Sequence, residues 1–123
     1  SMHGAKNYPL HKEKSDLDVG LDDGTEDDIC LSLLKENLEE LIPKIKPDLI
    51  FFQSGVDILG TDKLGRLGVS IAGCKERDRI VFETSYKNKI PIVFNMGGGY
   101  SEKLTSIIEA HANTYRTAAD IYF

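Results

Sequence analysis

The sequence has two cysteines and three histidines, and neither type is clustered. Cys30 and Cys74 lie far apart with no CxxC partner, which leaves out the redox and metal motifs built on that spacing. Both fall among apolar residues in stretches of helical spacing. We read them as buried free thiols of a reducing, cytoplasmic compartment, with a disulfide left open. No apolar run approaches the length of a bilayer-spanning helix, and no signal peptide is visible at the start, so no membrane partner is expected. A basic excess is also lacking. The net charge is -5, which argues against a nucleic-acid surface that would neutralise phosphates. The glycines of "GGGY" are not followed by a Lys-Ser/Thr pair and do not keep GxGxxG spacing, so a phosphate cradle has little support.

What is present is ordinary for a globular protein. Hydrophobic residues make up 41% and charged residues 28% of 123 positions, enough for one domain. Residues 1–24 read as an irregular acidic segment. Asp16, Asp18, Asp22 and Asp23 do not keep the alternating spacing of a calcium loop, so a solvated loop is expected there. Thr25 reads as a helix N-cap with Asp28 as a shortened capping-box acid. Ile29, Leu33, Leu34, Leu38, Leu41 and Ile42 keep helical spacing, and Pro43 marks the end.

Leu49 to Phe52 is an unbroken apolar run and reads as a strand buried on both faces. A second helix is expected over 70–87, with Ile71, Cys74, Val81 and Phe82 toward the core. Ile90 to Phe94 reads as a second strand. Ser101 is expected to cap a last helix whose stripe is Leu104, Ile107, Ile108, His111, Tyr115, Ala118 and Tyr122. His111 on that stripe reads as a hydrogen-bonded core histidine.

Residues 25–123 thus alternate helix, strand, helix, strand, helix. That order implies an α/β fold with a parallel sheet and crossover helices. In open parallel sheets, ligands bind beyond the carboxyl ends of the strands. The loop "SGVD" after the first strand and the loop "GGGY" after the second then share one edge, which brings Asp57 and Tyr100 toward one site. From the residues alone, Asp57 could equally cap a turn, and Tyr100 could be a packing residue with a wet hydroxyl.

The run "PDLIFFQSGVDILGTDKLGRLGVSIAGCKERDRIVFETSYKNKIPIVFNMGGGYS" resembles the carboxyl-terminal part of the metal-dependent histone deacetylase family. The upstream "SMHG" and "NYPLHKEKSDLDVGLDDGT" resemble its class IV or acetoin-utilisation-like branch. The resemblance covers nearly the whole chain. It implies the carboxyl-terminal part of the arginase/deacetylase fold and a zinc-dependent deacetylase acting on acetylated lysine or a smaller acylated amine. On this resemblance Asp57 is a ligand of the zinc, and Tyr100 donates a hydrogen bond to the acyl carbonyl. Gly97, Gly98 and Gly99 let the backbone pass close to a narrow substrate channel. Oxygens of Ser1 and Met2 help hold a monovalent cation such as potassium.

Two parts of the family pattern are missing. The family has an adjacent histidine pair as general acid and base, and an Asp-x-His motif supplying two more metal ligands. His3, His11 and His111 are not adjacent, and no Asp-x-His occurs. The chain therefore reads as a carboxyl-terminal fragment, inactive and without stoichiometric zinc on its own. Its open sheet edges lead us to expect a homo-oligomer or a missing amino-terminal half. A catalytically silent binding or assembly module of the same fold, and a phosphate- or nucleotide-binding domain, are the alternatives.

Overall fold

The computed structural model describes residues 1–123. Its elements are β1 (Met2–Gly4), β2 (Val19–Leu21), α1 (Asp27–Ile45), β3 (Ile50–Gly55), α2 (Ile71–Asn88), β4 (Ile92–Gly97) and α3 (Leu104–Tyr122). β1 pairs parallel with β2 and β3 pairs parallel with β4, in two separate two-stranded sheets. The α/β order with parallel strands is the one expected. No helix is long and apolar enough to cross a membrane.

The amino-terminal segment departs from the expected irregular loop. It forms β1 and β2, and Leu21 joins the core while Met2 and Val19 pack against it. Local composition hid this, because three-residue strands owe their existence to a partner rather than to propensity.

The helix starts also differ. α1 has no side-chain cap, and Thr25 instead donates to the Asp22 carbonyl at 2.7 Å. Asp27 accepts from the amide and hydroxyl of Ser70 at 2.8 and 2.6 Å, and Ser70 in turn caps α2 by accepting from the Gly73 amide. The Asp27 carboxylate thus serves the amino-terminal ends of two helices at once, where negative charge is favoured. Asp28 makes no cap. α1 runs through Pro43 to Ile45, because Pro43 lies on the exposed side, where the carbonyl it leaves unpaired can meet water. The stop is Lys46, in the left-handed region at φ 51°, followed by Pro47. Ser101 does not cap α3; Lys103 holds that position, and the Ser101 hydroxyl bonds Thr61 at 2.8 Å.

Phe82 on α2 is fully buried and organises the aromatic core. Its ring meets Phe52, Phe94 and Tyr122 edge-on at centroid distances of 5.8, 5.0 and 6.3 Å. α2 and α3 therefore cover the sheet face bearing Phe52 and Phe94. The opposite face is open: Phe51 is 75% exposed, and Val93 is exposed beside it. The strands are thus buried on one face, not both.

Ile71 is exposed, whereas Cys74, Val81 and Phe82 are buried as expected. The buried side of α3 is narrower than its apolar stripe. Ala110, Thr114, Thr117 and Ala118 are buried, while Leu104, Ile108 and Tyr115 remain exposed. Small side chains let α3 approach α2 closely, so packing selected size over hydrophobicity. His111 is half-buried and its Nδ1 has no hydrogen-bond partner, against the expectation of a bonded core histidine. Both cysteines are buried and free. Burial pushes the Cys74 thiol up to about 11, with the Arg77 guanidinium opposing it.

Candidate functional site

The register of β3 against β4 sets the site. Gly55 stands opposite Gly97 at the carboxyl ends of the two strands, and the Val56 amide donates to the Gly97 carbonyl at 2.9 Å. The chain leaves β3 toward Asp57 and leaves β4 toward Gly98, so the two loops emerge side by side. Gly98 and Gly99 have φ of +66° and +114°, conformations that residues with a Cβ adopt at a cost. A Cβ on Gly98 would lie 2.8 Å from Cβ of Asp57 and 2.9 Å from its Oδ1. On Gly99 it would lie 2.9 Å from Cγ2 of Ile107. The crowding that demands glycine here is therefore with Asp57 and α3, within the protein.

Two residues overlooked in the sequence hold this arrangement. The first is Asp62, which is 8% exposed. Its Oδ1 accepts from the Leu64 and Gly65 amides at 2.8 Å each, and its Oδ2 accepts from the Tyr100 amide at 2.6 Å. One carboxylate thereby ties the loop after β3 to the loop after β4. Gly65 completes the contact, because a Cβ there would collide with the Asp57 carbonyl. Only the half within one loop had a local signal, since an aspartate two and three residues before turn amides is an Asx-turn pattern; the bond to Tyr100 had none. Removing the carboxylate with Asp62→Ala is expected to cost about 3 kcal/mol, since hydrogen bonds to a charged acceptor contribute roughly 1.5–3 kcal/mol each. Urea denaturation checks this, and faster exchange of the Tyr100 amide should accompany it. A loss below about 1 kcal/mol would mean the loops hold each other without Asp62.

The second is Arg77. Its Nε donates to Asp78 Oδ1 at 2.9 Å, and its Nη1 donates to the Gly55 carbonyl. Its guanidinium also lies 5.5 Å from the centroid of the Phe52 ring. The Asp78 Oδ2 accepts from the Thr114 hydroxyl at 2.6 Å. Burial pushes the Asp78 carboxyl above its ordinary range, while Arg77 and Thr114 pull it back. Through this chain α2 and α3 grip the end of β3, two residues before Asp57.

The sequence-derived residues are distributed as follows. Asp57 is half-buried and lines a cavity of about 580 Å³ that also reaches Ser1 and Met2. Tyr100 and Gly97 to Gly99 do not line that cavity, and Tyr100 as a residue is 60% exposed. The Ser1 hydroxyl donates to Asp18 at 2.9 Å. The hydroxyl and amide of Ser15, and then Ser1, hold the Asp18 carboxyl down at about 2. No three His, Cys, Asp or Glu side chains converge in a way that could hold a metal ion. A catalytic zinc takes three protein ligands, so Asp57 with its neighbours here does not make up such a centre.

The family model of the histone deacetylase domain matches residues 1–115. An uncharacterized protein of Picosynechococcus sp. is 38% identical over 122 residues, which is 99% of this chain and 41% of that protein. Histone deacetylase 2 of Arabidopsis thaliana is 36% identical over 110 residues, 87% of this chain and 28% of that protein. Among solved structures, acetylpolyamine aminohydrolase from Burkholderia pseudomallei superposes with a TM-score of 0.77 at 19% identity, over 98% of this chain and 37% of that one. A histone deacetylase homologue complexed with SAHA gives a TM-score of 0.69 at 19% identity, over 98% of this chain and 38% of that one. These two structures share the fold. In every case the chain spans well under half of the relative it matches.

Proposed function

This chain belongs to the histone deacetylase domain family, and from that premise we propose that it is part of a zinc-dependent amide hydrolase acting on acetylated lysine or a smaller acylated amine. The observation that carries the reading is the packing of the glycine run against Asp57 at the carboxyl ends of two adjacent parallel strands. That edge is where open parallel sheets bind ligands. Tyr100 serves as a hydrogen-bond donor to the acyl carbonyl, where negative charge develops during attack. Asp57 contributes one carboxylate to the metal, and the remaining ligands and the water-activating base come from residues outside these 123. Without that base the chain by itself loses about 10²–10⁴-fold, and without the other ligands it forms no metal centre. The substrate class is supported by the likeness to an acetylpolyamine aminohydrolase. The "SMHG" and "DVGLDDGT" segments support the class IV or acetoin-utilisation-like branch.

A second reading is a non-catalytic binding or assembly module, favoured by the lack of converging metal-ligating groups. Reconstitution separates the two. The chain alone should not hydrolyse an acetyl-lysine peptide or an acetylated diamine. Mixing it with the part of the Picosynechococcus relative that it does not match should produce hydrolysis, together with one zinc per complex by elemental analysis. One tightly held zinc in the chain alone, or full activity in the added part alone, would defeat the proposal.

A further inference from the structure

The loops that leave β3 and β4 clasp each other at successive positions. The Thr61 and Ser101 hydroxyls bond at 2.8 Å. Asp62 and Ser101 form an antiparallel bridge, and the Lys63 amide donates to the Tyr100 carbonyl at 3.4 Å. Successive residues of an extended segment point to opposite sides. Asp62 points inward, where three backbone amides occupy its carboxylate. Lys63 therefore stands on the outer side, and its ammonium meets the Glu102 carboxylate at 3.2 Å. Tyr100, Lys63, Leu64 and Glu102 are all exposed, so this charge pair sits on the open rim around Tyr100.

The pair does little to hold the loops together. Its two side chains are 60% and 78% exposed, and ion pairs so open to water add little stability. Asp62 already supplies the hold. What Lys63 changes is the charge of the rim. The segments 56–70 and 98–103 carry three acidic residues, Asp57, Asp62 and Glu102. Asp57 is half-buried and Asp62 is buried. Glu102 is thus the one carboxylate that these loops expose to solvent, and Lys63 cancels it. Arg66 is occupied by Asp23 at 3.2 Å, and Lys103 is exposed next to Glu102 in the chain. These loops therefore present no uncancelled negative charge beside Tyr100.

We propose that Lys63 is a specificity-determining residue: by neutralising Glu102 it turns the site away from acylated polyamines and toward acetyl-lysine within a peptide. The inference rests on the function proposed above and selects between its two substrate classes. An acylated polyamine carries a second ammonium on the same short chain as its amide, and a nearby carboxylate is what would draw that ammonium in. An acetyl-lysine side chain carries no second cation, so a neutral rim costs it nothing. One unit charge about 7 Å away in water changes binding roughly threefold. Lys63→Met frees Glu102 and shifts the rim by one unit. Lys63→Glu shifts it by two.

The test compares kcat/KM for a monoacetylated diamine and for an acetyl-lysine peptide of zero net charge, in the domain reconstituted with the unmatched part of the Picosynechococcus relative. That added part brings the same charges to every variant, so the readout is the ratio of the two substrates. The ratio should move toward the diamine about threefold in Lys63→Met and about tenfold in Lys63→Glu. Circular dichroism should not change, because both partners of the pair are exposed. In 1 M sodium chloride, where screening acts within about 3 Å, the shift should disappear. Hydrolysis of both substrates with a ratio that ignores Lys63 overturns the inference and leaves the proposed function standing. A shift that persists in 1 M salt also overturns it, since a distorted loop and not charge would then be the cause. Hydrolysis of neither substrate overturns the inference together with the function.

Discussion

In the reconstituted domain, Tyr100→Phe is expected to lower turnover by about 10²–10³-fold with little change in KM, the usual cost of losing one oxyanion donor. The backbone of Tyr100 is held by Asp62, and the residue is 60% exposed, so removing the hydroxyl leaves the loop in place. The two variants should therefore separate by mechanism. Tyr100→Phe loses rate without stability, whereas Asp62→Ala loses stability and drags rate with it. Asp57→Asn should lower the zinc content of the complex, and adding excess zinc should restore part of its activity. A reconstituted enzyme whose turnover ignores the loss of the Tyr100 hydroxyl would remove Tyr100 from the reacting centre.

Asp78→Ala is the second large effect, expected to destabilise the chain by about 3–5 kcal/mol. Asp78 is fully buried and Arg77 is 9% exposed. Deleting the carboxylate strands a guanidinium in an apolar setting beneath Phe52 and leaves the Thr114 hydroxyl only its long 3.5 Å contact with the Ala110 carbonyl. Most of the loss is the penalty of that unpaired charge, not the worth of the pair. The double replacement Arg77→Met with Asp78→Leu should therefore cost less than Asp78→Ala alone, although it gives up the bond to the Gly55 carbonyl. Chemical denaturation of the three proteins measures both quantities. A single variant costing less than about 1 kcal/mol would show that the network is dispensable.

Much of the site was legible before any coordinates. The short apolar runs, the helical periodicities and the glycine punctuation are local signals, and they were enough to order the elements and to bring the "SGVD" and "GGGY" loops to one edge. The residues that hold those loops were not legible to the same degree. Asp62, in the loop after the first strand, and the "RDR" of the second helix were given no role of their own. The roles of Asp62 and Asp78 depend on donors 38 and 36 positions away in the chain, the Tyr100 amide and the Thr114 hydroxyl.

By itself the sequence determined the alternation of strand and helix and the family, because these follow from residue type and short-range spacing. Only the tertiary structure decided which faces are covered. The run Leu49 to Phe52 is apolar throughout, so composition cannot say that Phe52 meets Phe82 while Phe51 stays open. Equally, nothing local to "SMHG" and "DVGL" says that they pair, because a three-residue strand is stabilised by its neighbour. The open edges of β1 and β3 belong to the same class of fact. An unpaired N–H is a property of what lies beside a strand, and that is set by how the two sheets are placed.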